Sequence, residues 1–154
     1  MEDVDYRPWV FVAMVIALAV AQFVIMYPSP VPTAKHYVRA LESAYAGDLV
    51  PLRCISSYVS EDKVSGIGAA IQTAKQQFTA AGKPDPLIKL KIVSIDEEQI
   101  NDKDAVIYLK IRMLVNGKPY TDQHLRVFLI KEGYRYPRWG VDLANSGIYA
   151  PIEN

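Results

Sequence analysis

Hydrophobic and polar positions change their spacing along the chain, and each spacing predicts a different kind of element. Residues 9–27 carry no charge, and Gln22 is the one strongly polar side chain among them. As a helix this run would rise roughly 28 Å, close to the ~30 Å hydrocarbon core of a bilayer. Pro8 suits a first helical turn, Trp9 and Tyr27 stand where interfacial aromatics are favoured, and Pro28, Pro30 and Pro32 stop the helix beyond them. The pattern predicts a single N-terminal transmembrane helix, with residues 1–8 as a short tail and 28–32 as a Pro-rich linker. Ala19-Val20-Ala21 has the small-x-small form of a signal-peptide cleavage site, but an acidic leader and the further apolar residues 23–27 favour a retained anchor. Ala13, Ala17 and Ala21 recur every four residues and offer a face on which another helix could pack. The expected localisation is a single-pass protein of the cell (inner) membrane, with its domain on the extracytoplasmic or periplasmic side.

From Thr33 the apolar positions Tyr37, Val38, Leu41, Ala44 and Tyr45 keep a 3.6-residue period, and Gly47 closes that helix. Asp48 can cap a second helix over 49–59, with Pro51 in its first turn and Leu52, Cys54, Ile55 and Val59 available for burial. A third is predicted near 64–81, ending at Gly82 ahead of Pro84 and Pro86. After Pro86 the period becomes two, predicting strands at 87–95, 105–115, 120–130 and 134–141. Asn116-Gly117 is tight-hairpin chemistry and Glu132-Gly133 joins the last pair, so neighbours should run antiparallel. Helices followed by an antiparallel meander predict an α+β domain over 33–142, about three helices on a curved sheet of about four strands, with 143–154 as an extended tail.

The order of these elements, the Gly-Asp break in Ala46-Gly47-Asp48-Leu49, the long strands ending in Phe128-Leu129-Ile130-Lys131-Glu132-Gly133 and the late Trp139 together resemble the nuclear-transport-factor-two-like superfamily. The resemblance covers about 33–142 and implies a cone-shaped fold with room for a pocket; it implies no activity by itself.

Composition adds little until it is resolved along the chain. Seventeen Lys+Arg balance seventeen Asp+Glu, which excludes nucleic-acid binding driven by bulk charge, and one Cys excludes an intrachain disulfide framework. Catalytic chemistry finds few candidates. His124 shares the polar face of its strand with Asp122 and Arg126, His36 sits in a helix first turn beside Lys35 and Arg39, and Asp142 ends the last strand. None has the buried base-plus-donor setting that proton transfer needs. Cys54, His36 and His124 lack a second ligand at useful spacing, and Cys54 reads as a core thiol. The expectation is a protein without catalytic residues, cofactor or metal.

Alternation instead places Lys89, Lys91, Lys110, Arg112 and Arg126 on one outward sheet face. Two readings stay open for it: a solubilising surface, or a docking face for anionic lipid headgroups or an acidic partner. A second candidate interface is the run Tyr134, Arg135, Tyr136 and Arg138 ahead of Trp139, rich in residue types that bury surface between partners. The expected function is a non-catalytic, single-span accessory or scaffold subunit of a larger membrane complex of electron-transport, photosynthetic or secretion type, docking on other membrane-protein subunits. The alternative is a membrane-tethered pocket protein, or an isomerase- or cyclase-like enzyme, acting on a small apolar ligand.

Overall fold

The computed structural model describes residues 7–26, 28–79, 84–134 and 137–151, with side chains of the first helix described at 10 and 12–21. The described residues form four α-helices, one short 3-10 helix and five strands in an α+β arrangement, as the change of period predicts. Helix α1 spans Arg7–Met26 and α2 spans Val31–Tyr45. Pro32 belongs to the first turn of α2, where a proline loses no hydrogen bond, so the helix starts ahead of the expected Thr33 cap. The predicted second helix divides into α3 (Val50–Ile55) and the 3-10 helix Tyr58–Lys63; α4 follows at Val64–Gln76. The N-cap of α3 is Leu49, without a side-chain cap, one residue beyond the expected Asp48, whose Oδ1 accepts the Val50 amide at 3.0 Å from just outside the helix.

Strands β1 (Ile88–Ile100), β2 (Asp104–Val115), β3 (Lys118–Glu132) and β4 (Arg138–Val141) lie side by side in that order, each antiparallel to the next. A fifth strand, β5 (Gly147–Tyr149), pairs with β3 through Ile148 opposite Leu125, where the sequence predicts only an extended tail. Asn116 and Gly117 both have positive φ, 51° and 79°, which is what a two-residue hairpin requires of β2 and β3. Two register shifts in β1 and one between β2 and β3 curve the sheet. Its concave face carries Ala105, Ile107, Leu109, Ile111, Leu125, Val127 and Leu129, all buried against Ala34, Val38, Leu52 and Val64 of the helices.

The membrane-span expectation is corrected. Among the described residues no helix is long and apolar enough to cross a membrane. The transmembrane helix at 9–27 and the single-pass inner-membrane localisation, with its periplasmic domain, are therefore not supported. Ala13, Ala17 and Ala21 lie exposed on α1; the side chain of Trp9, and Tyr27 altogether, lie outside the described residues. Cys54 is likewise exposed rather than in the core, because α3 is short and commits Leu52 to the interior.

The helical layer joins the sheet along β4. Ser57 donates its amide to Val141 O at 2.8 Å, Ser60 Oγ donates to the same carbonyl at 3.1 Å, and Ser60 Oγ accepts the Leu143 amide at 3.1 Å. Both serines are buried, so these bonds satisfy groups that water cannot reach. Gly140 makes the approach possible: a Cβ there would stand 2.8 Å from Ser57 Cα and 2.9 Å from Glu132 Oε2. Gly140→Ala is expected to lower the unfolding free energy by about 1–3 kcal/mol through overpacking. Urea denaturation would show this as a reduced midpoint with unchanged slope, and an unaltered midpoint would contradict the close approach.

Candidate functional site: an apolar cavity between helices and sheet

Helix α4 packs chiefly on α2 and on the 3-10 helix, and it stands off from the sheet. The space left over is a partly open cavity of about 340 Å³. Its walls are Tyr37, Leu41 and Tyr45 from α2, Ile67, Ile71 and Ala74 from α4, and Leu90, Ile111, Met113, Gln123 and Leu125 from the sheet. Leu143, Ser146, Gly147 and Ile148 complete it, so the C-terminal segment is part of the wall.

Local sequence explains each contribution. The 3.6-residue spacing of Tyr37, Leu41 and Tyr45 sets them on one face of α2, and Ile67, Ile71 and Ala74 repeat the pattern on α4. The turn after β4 is held by the Asp142 carboxylate, which accepts the Ala144 amide at 3.0 Å and Asn145 Nδ2 at 2.7 Å. Asp142 is thus occupied as a turn cap and does not line the cavity. Ser146 Oγ accepts the Phe128 amide at 2.9 Å, which seats β5 beside β3.

No charged side chain lines the cavity among the described residues, and its polar groups are Tyr37, Tyr45, Gln123 and Ser146. Burial pushes the Tyr37 phenol up to about 12 and also raises that of Tyr45, so both stay neutral donors at ordinary pH. Such a lining can hold an uncharged, largely apolar molecule and orient it by a few hydrogen bonds. Among the described residues no group of three or more His, Cys, Asp or Glu side chains converges.

The residues singled out by sequence fall elsewhere. On the convex sheet face Lys91, Arg112 and Asp122 form one cross-strand row, and Lys110, His124 and Tyr149 the next. Asp122 takes Arg112 through two bonds, at 2.6 and 2.9 Å, and lies 3.8 Å from Lys110. Hydrogen bonding to that guanidinium holds the Asp122 carboxyl below its ordinary range. Arg126 donates to Asn145 O at 3.2 Å. Lys89 and Lys91 stay exposed, and neither forms an ion pair among the described residues. His124 Nδ1 lies 3.3 Å from Asp96 Oδ2, with the Tyr149 ring 5.8 Å from the imidazole. Of the five cations, Lys110 and Arg112 therefore share Asp122, Arg126 is held by a backbone carbonyl, and Lys89 and Lys91 stand outside that network.

Of the aromatic-basic run, Tyr134 is fully exposed, Arg135 and Tyr136 lie outside the described residues, and Trp139 is buried with its Nε1 donating to Pro28 O at 2.6 Å. Arg138 turns inward: it donates to Cys54 O and Ser56 O, each at 3.2 Å, and to Glu132 Oε2 at 3.1 Å. It is a clamp between β4 and α3.

Comparison with known proteins finds no matching family model, no matching curated protein and no matching solved structure. The resemblance to the nuclear-transport-factor-two-like superfamily is accordingly unsupported beyond the α+β arrangement itself, and nothing about the cavity rests on it.

The raised Tyr37 pKa makes a signed prediction. A phenol that ionises later in the folded than in the unfolded chain stabilises the fold below pH 10, and that stability is lost as pH rises toward about 12. Tyr37→Phe is expected to recover about 2 kcal/mol of the alkaline loss, read as unfolding free energy at pH 8 and pH 11.5. Equal losses in the two proteins would place Tyr37 in contact with water.

Proposed function

We propose that the chain is a non-catalytic binding subunit whose domain accepts a small, uncharged, mainly apolar molecule in the cavity between α2, α4 and the sheet. The single observation carrying this reading is the cavity itself: its volume lies at the lower end of the range that small-molecule sites occupy, and its walls are hydrocarbon with a few polar groups. The non-catalytic part is supported by the lining residues, which supply no carboxylate, imidazole or thiol to move a proton or attack a substrate. An isomerase- or cyclase-like activity finds no base in these walls.

Docking within a larger protein assembly is a second part of the reading, favoured by a separate observation. Val10, Met14, Ile16, Leu18 and Val20 of α1 are each more than half exposed, and a helix apolar on all sides is stable when another surface covers it. The partner inferred is an apolar helix of another subunit, approaching over Ala13, Ala17 and Ala21.

Titration with 1-aminonaphthalene, a neutral fluorophore, tests the cavity. Saturable emission enhancement is expected, and Ala74→Phe, which fills the space, should weaken it at least tenfold while the protein stays folded. Equal binding by the two proteins would refute the reading. For docking, Ile16→Glu should abolish recovery of partner chains in gentle purification; partners retained in full would remove α1 from the interface.

A further inference from the structure

Tyr37 combines three properties that no other residue of the cavity shares. Its side chain lines the cavity, it is only 3% exposed, and its hydroxyl has no hydrogen-bond partner among the described residues. Among the described residues the one fully buried side-chain polar atom without a partner is Arg138 Nε, so the Tyr37 hydroxyl, though its side chain is buried, keeps contact with open space and is free to donate. The other polar groups of the wall differ. Ser146 spends its hydroxyl on the Phe128 backbone, accepting the amide and donating to the carbonyl at 3.3 Å. Tyr45 and Gln123 are half-buried and keep access to water.

Building on the cavity reading above, we infer that Tyr37 is the specificity-determining residue of the site, and that its ligand is a neutral hydrocarbon-rich molecule bearing one hydrogen-bond acceptor, a ketone or ether oxygen, which the Tyr37 hydroxyl satisfies. Size follows from the volume: 340 Å³ holds about eleven waters at ~30 Å³ each, and therefore a ligand of about ten to fifteen non-hydrogen atoms. Charge is excluded by the walls, which offer a carboxylate or ammonium no counter-charge and would strip its hydration. The acceptor follows from chemistry, because a neutral phenol is a good donor and every other group within the apolar part of the wall is hydrocarbon.

Two shape-matched probes test this without knowledge of the natural ligand: 2-acetylnaphthalene, which carries a ketone, and 2-isopropylnaphthalene, which replaces it by hydrocarbon. Dissociation constants of both are measured for the full chain and for Tyr37→Phe, forming a cycle in which the loss of the hydroxyl is read against the loss of the acceptor. Tyr37→Phe is expected to weaken the ketone by roughly three- to tenfold relative to the hydrocarbon. Its melting temperature should be unchanged, since the hydroxyl holds no hydrogen bond among the described residues that the variant would lose. If both probes bind and the substitution affects them equally, the assignment of Tyr37 is overturned while the cavity remains a binding site. If neither probe binds, the cavity reading fails and this inference fails with it.

Discussion

The bond from the Ser57 amide to the Val141 carbonyl, deep under the sheet edge, is the contact on which the rest of the arrangement depends. It fixes the start of the 3-10 helix against β4, and Ser60 doubles it by bonding Val141 O and the Leu143 amide. Each group in this seam is buried, so separating the two layers would leave several donors and acceptors unpaired at once. Gly140 permits the distance, and Arg138 with Glu132 closes the exposed side, where Glu132 Oε1 also accepts the Tyr58 amide at 2.7 Å.

The seam holds the helices at β4, and α2 also packs on β1, which leaves α4 to diverge from the sheet. Strand β3 meets β4 over Leu129–Glu132, whereas the cavity lies along Gln123 and Leu125, nearer the Asn116-Gly117 hairpin. There α4 leans on α2 and not on the sheet, and the gap is walled by Ile71, Ile111 and Met113 without being filled. Protein interiors are close-packed, and a well-packed core of this size would not leave such a volume by default. The C-terminal turn, set by Asp142 and Ser146, supplies the remaining wall. Fold and cavity thus share one cause: Ser57 and Ser60 hold the helical layer to β4 and Glu42 holds α2 to β1 through the Leu90 amide at 2.7 Å, whereas α4 leans on α2.

Much of this architecture was legible from spacing alone. The alternation of Leu125, Val127 and Leu129 named the buried face correctly, and Asn116-Gly117 located its hairpin, because both signals are local. Strand β5 was not legible: three residues carry no period, and their pairing with β3 is created by the Asp142 turn. The cations Lys110, Arg112 and Arg126 were placed on the right face, but their partners Asp122 and Asn145 depend on cross-strand register and a distant turn. The membrane span inferred for 9–27 rested on composition, and no described helix meets the length and apolarity a bilayer demands. Tyr37 shows the limit most clearly. Periodicity identifies it as an inward position of α2, yet whether its hydroxyl is paired is a property of everything packed around it.

Methyl-resolved NMR tests the central claim most directly. With Ile, Leu, Val and Met methyl groups labelled, addition of a neutral aromatic ketone should shift Leu41, Ile67, Ile71, Ile111 and Met113 together, with one saturation curve, and leave the exposed Val93 and Ile100 unmoved. Shifts absent from those five, or spread evenly over exposed methyls, would contradict a ligand cavity between α2, α4 and the sheet.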